Sequence, residues 1–194
     1  MDHYQIIAGR FQQTMEAVAM SVDQLAEPIA RGSEMMTQVL LNDGKIFCCG
    51  LGLDAALAQL FCSLLLENPA RERPALPAFN LGPGAALQED AAGHALARQV
   101  RALAADSDLL LVIDSGPERS ACAGALHAAR EKGMPVVAMG NALNGSLAAA
   151  LNAGDVHIAV EARQRGQCVE LHTMVALGLC QLIETSLFGD YHQE

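Results

Sequence analysis

Short apolar runs alternate with longer stretches of helical period along most of this chain. The runs at 45–49, 77–81, 108–113, 135–139 and 155–160 are the strand candidates, and Leu109-Leu-Leu-Val-Ile113 is the plainest of them. Between them, residues 54–67, 88–105, 118–132 and, less regularly, 145–151 carry the spacing of helices with one apolar face. Apolar runs this short, divided by helices, predict parallel strands buried on both faces. The expectation is a three-layer α/β fold around a doubly wound sheet, with ligands at the carboxyl ends of the strands.

Both ends depart from this alternation. Residues 3–20 and 24–42 read as two helices, a hairpin with Met15, Val18, Met35, Met36, Val39 and Leu40 on its apolar faces. A hairpin placed before an α/β unit suits packing against its twin in another subunit. Residues 1–44 are therefore read as an oligomerisation element and 45–194 as the α/β core of one domain. Cys168 to Phe188 is one long helix, apolar almost all round, which predicts burial between layers or between subunits.

Composition narrows the function classes. The chain is 52% hydrophobic but 4% aromatic, so alanine and leucine fill its core, as suits helix-rich α/β packing. Its net charge of −10 and the lack of any large Lys/Arg cluster argue against direct nucleic-acid binding. Arg71-Glu-Arg73 and Arg163-Gln-Arg165 are the densest basic spots. Met1 to Arg10 lacks the pattern of a signal peptide, and the apolar runs are too short to predict a membrane span. The six cysteines, at 48, 49, 62, 122, 168 and 180, show no C-x-x-C pairing. Buried reduced thiols in a cytoplasmic protein are expected, with no metal and no cofactor.

Two strand-to-helix turns carry the candidate chemistry. The first is Cys49-Gly50-Leu-Gly52-Leu-Asp54 and the second Asp114-Ser115-Gly116-Pro-Glu118-Arg119. A glycine turn opening a helix offers free backbone N–H groups and a positive dipole end to an anion. Here Asp54, Asp114 and Glu118 bring negative charge to that spot. Gly50-x-Gly52-x-x-Ala55 also fits the dinucleotide fingerprint, but the next strand ends in Asn80 and Leu81 where a ribose-binding acid is needed. Each turn also has a purely structural reading. Ser115 and Glu118 form a capping box, with the Glu118 carboxylate returning to the Ser115 N–H, and Asp54 caps the helix that begins at Ala55. His172 stands alone on the last helix, where a packed histidine is the ordinary case.

The order of these segments resembles the SIS, or sugar isomerase, domain. The resemblance rests on Lys45-Ile-x-x-Cys-Gly50-x-Gly52, Glu72-Arg-Pro-x-Leu-Pro-Ala78, Gln99-Val-Arg-Ala-Leu103, the 108–113 strand and Leu179-Cys-Gln-Leu-Ile-Glu-Thr-Ser-Leu-Phe188. It points to the branch holding phosphoheptose isomerase and the DnaA initiator-associating protein. It implies a five-stranded parallel sheet in flavodoxin-like order and tetramers assembled through helices, whereas the residues alone leave dimer or tetramer open. In active members a Glu and a His transfer the proton and a Ser/Thr-rich turn holds the phosphate. Carried onto this chain, the base position falls on Leu64 and the acid/base histidine on His172, while the Gln expected three residues before it is Val169. The phosphate turn falls on Asp114 to Arg119, with one hydroxyl left, at Ser115, and the loop before Gln99 is shortened. Gly50, Gly52, Asp54, Asp114, Ser115, Gly116 and Arg119 thus mark the ligand site. Leu187 and Phe188 fall where the initiator-associating relative is thought to contact its partner, a pair the isomerases share.

The expectation is a SIS-fold protein that binds a carbohydrate derivative or acts through assembly, without heptose isomerase activity. The alternative is a sugar-phosphate isomerase using His172 with Glu67 or Glu170. A third reading is an uncharged or cationic ligand in the acid-lined cleft.

Overall fold

In a computed structural model, residues 2–67, 72–82, 89–116 and 122–190 are described, with the backbone alone given for 89–92. Five strands form one parallel sheet: β1 (Ile46–Cys49), β2 (Ala78–Leu81), β3 (Leu109–Asp114), β4 (Val136–Asn141) and β5 (Val156–Val160). Their order is β2-β1-β3-β4-β5, the flavodoxin-like order expected. Ile46 pairs with Ala78 on one side and Leu109 on the other, and Leu110 pairs with Val136. This register brings the β1 and β3 ends side by side, so the two turns face each other.

Strand alternation divides the core in two. Leu109, Leu111 and Ile113 join α1 (His3–Leu41), α2 (Leu53–Glu67) and α6 (Arg165–Phe188) on one face. Leu110 and Val112 join α3 (Glu89–Leu103) and α4 (Ala123–Lys132) on the other. The short α5 (Gly145–Ala149) places Leu147 in that second layer. All six cysteines are free and buried. At the amino end of the sheet, fully buried Asp108 accepts from the N–H groups of Lys45 and Ala105, both at 2.8 Å.

The N-terminus is one helix of 39 residues rather than the expected hairpin. The residues read as a turn, Ser21 to Asp23, stay helical, and the Ser21 hydroxyl bonds back to the Ala17 carbonyl at 2.6 Å. Pro28 is accommodated within the helix. Every buried α1 residue, from Leu25 to Thr37, lies in its second half. The first half exposes Tyr4, Ile7, Phe11, Met15 and Met20.

The long α6 is apolar enough to cross a membrane by length and composition. In this fold its Cys168, Leu171, Val175, Leu179 and Ile183 instead pack into the first core cluster. Arg73 locks α2 to α6: its guanidinium donates to the Leu64, Leu65 and Pro74 carbonyls and to Glu184 at 2.7 Å.

Candidate functional site

The two turns meet through one carboxylate. Asp54 lies in the first turn of α2 and is 2% exposed. Its Oδ2 accepts the Ser115 N–H at 3.0 Å and its Oδ1 accepts the Ser115 hydroxyl at 2.6 Å. The expected Asp54 cap is thereby corrected. Asp54 does not cap its own helix with its side chain; it reaches across to the end of β3. The Ser115 N–H that the capping box assigns to Glu118 donates to Asp54. Glu118 itself, and the predicted ligand residue Arg119, lie outside the described residues.

Glycine makes this approach feasible. A Cβ on Gly50 would stand 2.5 Å from the Asp54 backbone carbonyl, and Gly52 has φ +61°, a left-handed turn that side chains disfavour. With both turns this close, the α2 dipole and the Ser115 donors converge on the Asp54 carboxylate. The anion that the second turn holds is therefore part of the chain.

Asp114 ends β3 and is also buried. Its Oδ1 accepts the Gly116 N–H at 3.1 Å, while among the described residues its buried Oδ2 meets no hydrogen-bond donor. The Gly116 carbonyl in turn accepts from the side chain of Asn144, the N-cap of α5.

His172 sits behind the turns with no exposed surface. Its Nε2 lies 3.0 Å from the Gly140 carbonyl and 3.8 Å from Cys168 Sγ, one helical turn earlier. Burial pushes its pKa below the ordinary value, against the opposing pull of the Gly140 carbonyl and of Asp54 and Asp114. A neutral imidazole bonded to a main-chain carbonyl is the resulting state.

Neither carboxylate expected to replace the missing base stands beside it. Glu67 is exposed at the far end of α2. Glu170 pairs with Arg10 at 2.5 Å and accepts the Thr14 hydroxyl at 2.8 Å, both from α1. That hydroxyl, then Arg10, hold its carboxyl below the usual range. Leu64, at the family's base position, packs against the first core cluster. Leu187 and Phe188, the predicted partner residues, are half-buried against the same cluster.

One residue of the site was not expected. Arg165, the first residue of α6, places its Nη2 3.6 Å from Asp54 Oδ2 and 3.7 Å from where a Gly52 Cβ would stand. Its signal in the sequence is an arginine at a helix start, where the dipole disfavours a cation. Among the described residues, no group of three His, Cys, Asp or Glu side chains is placed to hold a metal.

Known proteins share this arrangement of elements. A phosphoheptose isomerase of Pseudoalteromonas atlantica is 33% identical over 193 residues, covering 97% of this chain and 98% of its own. The DnaA initiator-associating protein DiaA of Yersinia enterocolitica is also 33% identical over 193 residues, covering 97% of each chain. The structure of phosphoheptose isomerase from Neisseria gonorrhoeae matches with a TM-score of 0.84 and 30% identity, over 94% of this chain and 98% of that one. That of Francisella tularensis matches with a TM-score of 0.86 and 28% identity, over 95% of this chain and all of its own. A family model described as the SIS domain matches residues 10–141. With its flavodoxin-like sheet and its paired turns at the carboxyl ends of β1 and β3, the chain belongs to the SIS-domain family.

Proposed function

We propose that this protein binds a carbohydrate derivative or works through assembly, and does not isomerise sedoheptulose 7-phosphate. The observation that carries the reading is the Asp54 carboxylate seated on the Ser115 N–H and hydroxyl. A substrate phosphate would have to displace it, and would meet Asp114 beside it. Close like charges repel by about 1 kcal/mol in water and by more in a partly buried site. The missing base supports the same reading, because Leu64 cannot accept a proton and general base catalysis supplies ~10²–10⁴-fold.

The protein acts in the cytoplasm as a homo-oligomer, a tetramer in the family pattern. The exposed Phe11 and Met15 on α1 border an apolar groove that also takes in Val18 and Ala19. Its partner is a protein such as the replication initiator, with Leu187 and Phe188 in the contact. This rests on the likeness to the initiator-associating protein.

The second reading, a rearranged isomerase, draws on the likeness to phosphoheptose isomerases and on His172, which falls on the acid/base position the resemblance implies. Incubation with sedoheptulose 7-phosphate, followed by NMR of the sugar, separates the two. No turnover is expected; turnover that is lost in His172→Ala would establish the second reading.

A further inference from the structure

The two buried carboxylates at the turns differ in what they still need. Asp54 has both oxygens occupied by Ser115 and a guanidinium 3.6 Å away. Asp114, 6% exposed, has one oxygen on the Gly116 N–H, and among the described residues the other has no donor. Among the described residues no ion pair reaches it. Buried acceptors in native proteins almost always find a donor, so an orphaned carboxylate oxygen at the carboxyl end of a central strand invites one from a ligand. On the neighbouring strands, a second buried polar atom has no partner among the described residues. His157 Nε2 stands 2.9 Å from the place of a Cβ on Gly140, the β4 residue paired with Asp114.

We propose that the site takes an amine-bearing sugar derivative, its ammonium group donating to Asp114 Oδ2. In this arrangement Asp54 is the specificity-determining residue, the resident anion that turns phosphates away. An ammonium supplies both what Asp114 lacks: N–H donors, and a charge of opposite sign, which makes the stronger class of hydrogen bond. A neutral hydroxyl supplies only the first. The sugar-derived body rests on the binding reading given above; the charge preference rests on Asp54 and Asp114 alone.

The test is a thermal-shift titration of the full-length protein at pH 7 with D-glucosamine, N-acetyl-D-glucosamine, D-glucose and inorganic phosphate. Glucosamine is expected to raise Tm at millimolar concentration while the other three leave it unchanged. Asp114→Asn, with the same shape, weakens the glucosamine response at least tenfold. Asp54→Ser frees the Ser115 donors and gains a response to phosphate. No response to glucosamine, an equal response to its N-acetyl counterpart, or stabilisation of the wild type by phosphate would each overturn the proposal. If a variant fails to fold by circular dichroism, the wild-type contrast between the amine and its acetylated form still decides. Turnover of sedoheptulose 7-phosphate would sink the non-catalytic reading. No turnover combined with no amine response sinks the ligand class alone.

Discussion

Ser115 gives both its main-chain N–H and its hydroxyl to a single carboxylate, that of Asp54, which enters the fold 61 residues earlier. The pair closes the gap between the β1 and β3 turns.

Removing one partner costs more than removing the other. Asp54→Ala leaves a buried N–H without an acceptor and is expected to destabilise by about 2–3 kcal/mol. Ser115→Ala keeps the N–H bond, loses only the hydroxyl, and costs about 1 kcal/mol. Urea unfolding of the two variants measures the difference, and equal costs would contradict the geometry.

The two glycines of the first turn are expected to respond unequally. In Gly50→Ala the new methyl meets main-chain atoms of Asp54 at 2.5 Å, which rotamer changes cannot relieve. The expected loss is about 2–3 kcal/mol, as for overpacking in a core. Gly52→Ala has open space apart from Arg165 and bears only the left-handed backbone strain, about 1 kcal/mol. Thermal melts of both variants rank them.

Acid should weaken the fold through its inner histidines. Burial lowers the pKa of both His172 and His157. Below the unfolded value of about 6.5, the unfolded chain therefore takes up protons that the folded chain refuses. Stability falls as pH drops from 7 towards 5, and is restored on raising it. His172→Gln, which still offers Gly140 an N–H, flattens that slope. Unfolding free energies measured across the range check it, and a variant as pH-sensitive as the wild type would remove His172 as the cause.

Arg73 is the costliest single charge to lose. Its side chain is 2% exposed and serves three carbonyls and Glu184. Arg73→Ala is expected to cost about 3–5 kcal/mol, because Glu184 is then left without its cation in a mostly buried setting. Arg101→Ala, which breaks a surface pair with Glu131, costs less than about 1 kcal/mol. Parallel denaturant titrations compare them.

The sheet was legible because buried parallel strands write themselves as local apolar runs, of which Leu109 to Ile113 is the clearest. The Asp54–Ser115 bond was not, since a carboxylate in a helix first turn looks the same locally whether it caps its own helix or reaches another strand. Only the register of β1 against β3 decides between them. The N-terminal hairpin was misread for a related reason. Ser21 and Asp23 resemble a turn in isolation, but the helix absorbs Ser21 by back-bonding, and nothing local marks the difference. Arg165 came from a segment noted merely as basic, and acquired meaning once α6 brought it over Gly52.

The N-terminal helix has one more consequence. At 1.5 Å per residue its 39 residues extend about 58 Å, beyond the roughly 42 Å diameter of a compact sphere of this chain length. Its leading half buries no residue fully and is tied to α6 through Arg10 and Thr14 on Glu170, with Ala17 and Val18 against the core. Helices that stand alone in water are marginal even at ~15 residues. The order of residues 3 to 20 therefore depends on those contacts to α6, and Glu170→Ala is expected to loosen that segment while the rest of the fold stays intact. Amide exchange in that segment, compared between the wild type and Glu170→Ala, would report the loosening.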